Sequence, residues 1–593
     1  MAETISRTKK SLRNTVFGMA GMFCSLVVAF ATKSVFVRLL GAEYNGVNGL
    51  FSNILQVLNL AELGFATSVA YALYKPLKDG DERTTAALMN FFAKIYRIIA
   101  VVVTTVGCFC IPFLQYLIAE DLSELSFSLN ELRGYFAMYL ASTVCSYLLA
   151  YKRTIITADQ NNYLVTNVDN ICNIMLNVVQ IALLLIYKNF YAYLATMIAK
   201  TIINNLILHL IAGKKYPYLR TYRKEKLAQA EKSAIFKNVQ AAFLHKIGSV
   251  VIFSTTSIII SAFVSLIDAG KYSNYVMIVT RVNNFINIVF TSVTASIGNL
   301  CVDESEDRQY AVFKKVQYLA LFSGVFSYIC FVALLNPFIA IWVGEDMVMS
   351  MWVVFAISLN AMVGYLRKAV NTFKDAKGMF RNDWYKPLLE AAVGIGLAIG
   401  LSYVWGTFGV VMGYTLATIC IAVPVENWVL FKQGIHKPLT RQALTLIVTT
   451  LFAFAMGAVA YFVGTFIPAG TGWSGVGWFV LRFVFVVVFA AGVFILATCR
   501  TEEFKYYKNL AMTIIKKIVG KIKVKLGKKQ PAEVFTAIDA NEQSVEQNVG
   551  DENGSEEEAE QEKEDAESSD SEKSENVQSV DNDKQNDGGG DGE

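Results

Sequence analysis

Histidine is scarce in this chain, and acids are scarce inside its apolar segments. The three histidines of 593 residues, His209, His245 and His436, are far apart in sequence and form no metal-spaced His/Glu cluster. A Gly-rich phosphate cradle followed by Lys-Ser/Thr is missing, and so is a GxSxG turn. No enzyme signature is therefore present. The nine cysteines all fall within or at the edge of apolar runs, and Cys108 and Cys110 form the only close pair. Nothing around that pair supplies further ligands, so small apolar packing is the expected role of these thiols. Neither a metal nor a cofactor is expected, and nucleic acid is not an expected partner. A cleavable signal peptide is not expected either: the first apolar run is long, and no small-residue cleavage site follows a short core.

What the chain has in abundance is apolar sequence. A hydrophobic fraction of 54% excludes an ordinary soluble domain. About fourteen runs are long enough to cross a bilayer at about 20 residues per span: 15–39, 47–72, 88–117, 135–151, 168–187, 191–212, 239–264, 273–300, 317–342, 350–371, 388–405, 407–431, 443–467 and 475–498. The expected fold is an all-α polytopic membrane protein. Two six-helix lobes, 1–212 and 239–431, are joined by a basic cytoplasmic linker, 213–238, and followed by two more helices within 432–499. The Lys/Arg bias sets the orientation. With the N-terminus inside, the cytoplasmic loops hold most of the loop cations, whereas the outside loops hold only Arg133, Lys188 and Lys271. An even helix count puts both termini in the cytoplasm.

Cations inside spans mark function by default, because charge at membrane depth is tolerated only in a protected polar setting. Lys200 and Arg281 each lie about nine residues into their helices, or about 14 Å down at 1.5 Å per residue. Both then fall near the bilayer midplane, beyond snorkelling reach. Lys33 comes out in the outer third of the first helix, with Arg38 at its outer end. Asn204 and Asn205 accompany Lys200, and Asn283, Asn284 and Asn287 accompany Arg281. Asparagine facing lipid is costly, but asparagine facing a hydrated cavity is not. The pattern predicts a cationic cavity lined by these residues and suited to an anion. The alternative is a set of interhelical salt bridges, for which anions are short: Glu62 is the only acid deep in the first eight spans. Asp169 and Glu390 lie near helix ends, and Glu426 lies on the cytoplasmic side of its helix. The outside loop 118–134, with Glu120, Asp121, Glu124 and Glu131, reads as a solvated surface.

The C-terminal part changes character twice. Residues 500–530 alternate basic and apolar positions at helical spacing, as expected of a helix on an anionic leaflet. Residues 531–593 carry 22 acids against three lysines, a net of −19, whereas the remaining chain, with 50 Lys/Arg against 27 acids, carries +23. So polar a segment cannot bury enough surface to offset its ordering entropy, so it reads as a disordered acidic tail.

A weak internal repeat lays LGAEYNGVNGLFSNILQVLNL on IDAGKYSNYVMIVTRVNNFIN, with Tyr44 on Tyr272 and Leu50 on Ile278. Each copy opens the second span of a six-helix set, which suits a two-lobed transporter with its site between the lobes. The stretch LLGAEYNGVNGLFSNILQVLNLAELGFATSVAYALYKPLKDGD resembles the opening of bacterial polysaccharide-unit flippases, the Wzx-like branch of the multidrug/oligosaccharidyl-lipid/polysaccharide (MOP) superfamily. NDWYKPLLEAAVGIGLAIGLSYVWGTFGVVMGYTLATICIAVPVENWVLFK resembles the eleventh and twelfth helices of the same family.

The resemblance implies a MATE-like pair of lobes in a bacterial cytoplasmic membrane. It implies alternating access that moves an undecaprenyl-diphosphate-linked oligosaccharide outward for capsule or exopolysaccharide synthesis. Membrane lipids, a glycan polymerase and glycosyltransferases are the partners that this implies, and an H+ or Na+ gradient the driving force. Lys33, Lys200 and Arg281 are then the candidates for the diphosphate. Glu62 is the candidate for ion coupling, although it serves equally as the partner of a lysine. The competing readings are a drug or cation antiporter, a lipid II flippase, and a glycan polymerase or scaffold without transport. Deleting 531–593 is expected to leave glycan export largely intact; complete loss of export from a stably inserted truncation contradicts the reading of that tail.

Overall fold

The computed structural model describes residues 2–62, 65–379, 382–468 and 472–525; the acidic tail 531–593 lies outside the described residues. No strand occurs among them. The helices are α1 (Ala2–Leu58), α2 (Phe65–Asp79), α3 (Glu82–Cys110), α4 (Leu129–Ala158), α5 (Asn162–Tyr187), α6 (Phe190–Lys215), the single turn α7 (Tyr218–Thr221) and α8 (Gln229–Phe263). There follow α9 (Leu266–Asp303), α10 (Glu306–Trp342), α11 (Met351–Leu366), α12 (Lys368–Ala376), α13 (Lys386–Ala417), α14 (Val423–Trp428), α15 (Leu439–Thr465), α16 (Gly472–Thr498) and α17 (Glu502–Lys525). Met1–Phe504 forms one compact unit; a second, Lys505–Glu593, contains most of α17. Within α17, Leu510, Met512 and Ile515 are exposed beside its lysines.

Among the described residues, ten helical runs are long and apolar enough to cross a membrane. Their outer faces expose Ile98, Val101 and Phe109 on α3, Leu444, Ile447 and Leu451 on α15, and Leu481, Val484 and Val488 on α16. Apolar faces this extensive need lipid around them. The chain is an all-α, multi-pass membrane protein. The expected fourteen spans exceed these ten for identifiable reasons. The run Phe23–Leu58 passes through a break at Gly41 (φ 89°, ψ −175°), and Lys386–Gly434 passes through one at Gly406 (φ 55°, ψ −137°). Both conformations are open to glycine and costly for residues with a Cβ. α4 interleaves Tyr, Ser and Thr with its apolar residues and is not among the ten, and neither is α8, whose apolar stretch Val250–Phe263 is shorter than a span.

The span expected at 47–72 is interrupted. α1 ends at Leu58, and a 3-10 turn, Asn59–Glu62, follows it. The hydroxyl of Tyr147 donates to Asn59 Oδ1 at 2.5 Å, and that of Tyr96 donates to Glu62. These polar side chains leave the helical course and are held by tyrosines of α3 and α4.

The two predicted repeats meet face to face. A Cβ on Gly46 would lie 2.2 Å from the carbonyl oxygen of Leu266, and one on Gly270 would lie 2.2 Å from that of Ala42. The alignment that pairs Tyr44 with Tyr272 also pairs Ala42 with Gly270. Equivalent positions in mutual contact are what a local two-fold relation between the repeats produces.

Further ties gather at this end of the bundle. Glu120 accepts from Ser265 Oγ at 2.6 Å and from the amides of Leu266 at 2.9 Å and Ile267 at 3.3 Å. It thereby caps the positive N-terminus of α9. Arg38 donates to the carbonyls of Ile341 at 3.0 Å and Trp342 at 3.1 Å, capping the C-terminus of α10. The loop 118–134 therefore does more than present charge to water: its Glu120 joins the α3–α4 connection to α9. Helix-end amides are donors that a sequence pattern does not locate in space.

Gly270→Ala is expected to lower stability by about 1–3 kcal/mol, because α1 and α9 must separate to admit the methyl group. Gly49→Ala is the control, since its Cβ would meet nothing nearer than Ser273 Cβ at 3.6 Å. Thermal unfolding in detergent checks this. Equal melting of Gly270→Ala and the unaltered protein contradicts the close approach.

Candidate functional site

A polar stripe on α9 builds the first wall of a chamber. Ser273, Thr280, Asn283, Asn287, Thr291 and Thr294 recur at spacings of three, four or seven residues and so share one helix face. On α11, Asn360, Gly364 and Tyr365 face the same space, and on α12 Lys368, Asn371 and Asp375 do so. Thr256 and Ser257 of α8 and Tyr414 of α13 complete it, with Asn53 of α1 as the one contribution from the first six helices. The chamber encloses about 790 Å³.

Three cations, Arg281, Arg367 and Lys368, lie on the lining with one acid, Asp375. Arg281 is exposed to the chamber and has no carboxylate partner among the described residues. Lys368 donates to Asn287 Oδ1, a neutral acceptor, and likewise has no ion-pair partner among them. Arg367 occupies the interruption between α11 and α12 and is neutralised from behind. Its Nε donates to Glu426 Oε2 at 2.8 Å and its Nη2 to Glu426 Oε1 at 2.6 Å. The phenolic oxygen of Tyr365 is buried without a hydrogen-bond partner among the described residues, in the wall of a polar cavity.

The structure separates the three cations singled out in the sequence. Arg281 lines the chamber; Lys33 and Lys200 do not. Lys33 donates to Asn45 Oδ1, and Asn45 Nδ2 donates in turn to the carbonyl of Gly270 at 2.6 Å and to Asn274 Oδ1 at 3.1 Å. This lysine therefore belongs to the contact between the repeats. Lys200 lies within the field of Asp169 of α5. Asp169 is itself paired with Arg153 and accepts from Asn204 Nδ2 at 2.9 Å.

The asparagines divide in the same way. Asn283 and Asn287 line the chamber, whereas Asn284 is exposed and is not part of its lining. Asn205 is buried and donates to the carbonyl of Ser146 at 3.2 Å, tying α6 to α4. Glu62 is bound by Tyr96, and no lysine or arginine forms an ion pair with it among the described residues.

Sequence reasoning missed Arg367 and Lys368, which fall within the span expected at 350–371. A signal was available. Asn360, Gly364, Arg367 and Asn371 continue at helical spacing from the apolar part of α11, as the polar residues of α9 do.

No protein-family profile matches the sequence, and no curated protein matches it. Among solved structures, the chain is similar to the lipid II flippase MurJ in an inward closed conformation. The TM-score is 0.57 at 13% identity, with 82% of this chain and 100% of that chain covered. It is also similar to an inward-facing multidrug resistance transporter of the MATE family in the MOP superfamily. There the TM-score is 0.54 at 12% identity, with 70% of this chain and 94% of that chain covered. The chain shares its fold with these two solved structures.

Proposed function

We propose that the chain is a Wzx-like flippase that carries an undecaprenyl-diphosphate-linked oligosaccharide across a bacterial cytoplasmic membrane by alternating access. The observation that carries the reading is a polar chamber of about 790 Å³ in which Arg281 and Lys368 have no carboxylate partner. At an effective dielectric of about 20, one unit charge attracts another by about 4 kcal/mol at 4 Å. Two such cations, with charged hydrogen bonds, offset much of the desolvation of a diphosphate. Asn283, Asn287 and Asn371 supply the hydrogen-bonding surface that sugars need. The volume lies within the range of about 300–1,000 Å³ typical of small-ligand sites, so the prenyl tail stays in lipid.

The Lys/Arg bias orients the end that holds Gly46, Gly270 and Glu120 outward. The two lobes are then closed outside, and loading occurs from the cytoplasm. Opening that end would part Asn45 from Gly270 and Asn274 and expose Lys33, which stays beside Asn45 on α1, to the departing head group. Lys200, with Asn204 and Asn205 on the same helix, serves the first lobe, and Glu62, bound by Tyr96, is the candidate for H+ or Na+ coupling.

The likeness to MurJ favours a second reading, a lipid II flippase, whose cargo carries the same diphosphate. A cationic drug as cargo fits poorly with Arg281 and Lys368.

Reconstituted vesicles holding an undecaprenyl-diphosphate-linked oligosaccharide or lipid II test the reading. Arg281→Ala and Lys368→Ala are each expected to insert normally and to slow translocation about tenfold or more, the effect of losing a charged hydrogen bond. Faster movement of the oligosaccharide lipid than of lipid II favours the first reading. Unchanged rates in the double variant overturn both.

A further inference from the structure

Behind the chamber wall, five ion pairs join six charges. Arg367 binds Glu426 and lies 3.5 Å from Glu390; Lys386 binds Glu426 and lies 3.3 Å from Asp383; Lys374 binds Asp383. Three cations face three carboxylates, so the cluster is balanced. Glu426 is fully buried, and Lys374, Asp383, Lys386 and Glu390 are each less than a tenth exposed. Of the six, Arg367 alone also lines the chamber. It sits in the helix interruption immediately before Lys368, and its charge is turned away from the cavity, into Glu426.

The geometry points to Arg367 as an exchangeable cation, and to Glu426 as the positioning residue that decides which anion can claim it. The inference rests on the reading that the chamber receives an anionic head group. An anion seated on Arg281 and Lys368 lies next to Arg367 and competes with Glu426 for its guanidinium. Breaking a buried pair is costly unless a stronger partner replaces the lost one. A diphosphate offers a denser charge and more acceptor oxygens for the planar fork than a monophosphate does. Neutral and cationic ligands offer neither.

The departure of Arg367 is tolerable because no carboxylate is abandoned. Glu426 keeps Lys386, and Glu390 keeps the hydroxyl of Thr418, which donates to it at 2.7 Å. The remaining cluster then carries one net negative charge, which draws Arg367 back when the ligand leaves. Glu426 lies on α14 between two π-helical turns, Thr418–Ala422 and Val429–Gly434. Such turns are points of irregular hydrogen bonding within helices and recur at functional sites. Exchange at Arg367 thus links the arrival of a diphosphate to a segment able to adjust.

The test measures binding of farnesyl diphosphate and farnesyl monophosphate to the full chain in detergent, with thermal unfolding as the check on folding. The unaltered protein is expected to prefer the diphosphate. Glu426→Gln removes the carboxylate that holds Arg367 most closely and leaves it only Glu390 at 3.5 Å, so the monophosphate is expected to bind about tenfold more tightly and the preference to shrink. A gain in affinity is not what a purely structural role for Glu426 produces. The charge-balanced variant Arg367→Gln/Glu426→Gln removes one charge of each sign and is expected to fold while losing about tenfold in diphosphate affinity. Unchanged preference in a folded Glu426→Gln protein, or unaltered diphosphate affinity in the double variant, overturns the inference even where Arg281→Ala and Lys368→Ala weaken binding. Failure of the unaltered protein to bind either probe overturns the chamber reading and this inference with it.

Discussion

A charge held at membrane depth must be paired, hydrated or hydrogen-bonded, and this chain uses all three solutions in different places. Arg367, Lys374 and Lys386 are paired within a balanced buried cluster. Lys33 is held by an asparagine at the junction of the two repeats. Arg281 and Lys368 face a polar chamber and are paired with no acid among the described residues. The first solution builds the wall and holds Arg367 against Glu426, the second joins helices, and the third leaves charge open to a ligand. Which solution each cation takes decides where binding can occur.

The chamber depends on the helices around it being held in register. The contact of Gly46 and Gly270 with opposing backbones brings α1 and α9 together at one end. Glu120 and Arg38 bind the ends of α9 and α10 there, with charges complementary to the helix dipoles. The polar stripe of α9 then faces α11 and α12. α15 and α16 pack outside this arrangement: Ala453, Ala460, Val486 and Ala490 are buried in one cluster with Tyr328, Ile329 and Val332 of α10. They widen the bundle without contributing to the chamber lining.

The all-α membrane architecture was legible in the sequence because hydropathy acts along one chain at a time. The runs 388–405 and 407–431 were separable by hydropathy, and the break between them falls at Gly406. Arg281 was legible for the same reason: its depth in its own helix sufficed to mark it. Partners were less accessible. That Asn45 meets Gly270, that Lys200 lies in the field of an Asp169 paired with Arg153, and that Glu120 reaches the amides of α9 are facts about how distant segments meet, and no single-helix pattern contains them. Arg367 and Lys368 were passed over because they lie near the inner end of their span, where depth alone does not mark a cation. Only the interruption after α11 turns them inward.

Direct observation of the head group in place tests the central claim. A cryo-electron microscopy structure of the full chain, with an undecaprenyl-diphosphate-linked saccharide in lipid nanodiscs, supplies it. The account predicts diphosphate density within hydrogen-bonding distance of Arg281 and Lys368, with the prenyl chain leaving between helices into lipid. A chamber filled by an acyl tail, or a diphosphate bound elsewhere with Arg281 and Lys368 untouched, contradicts it.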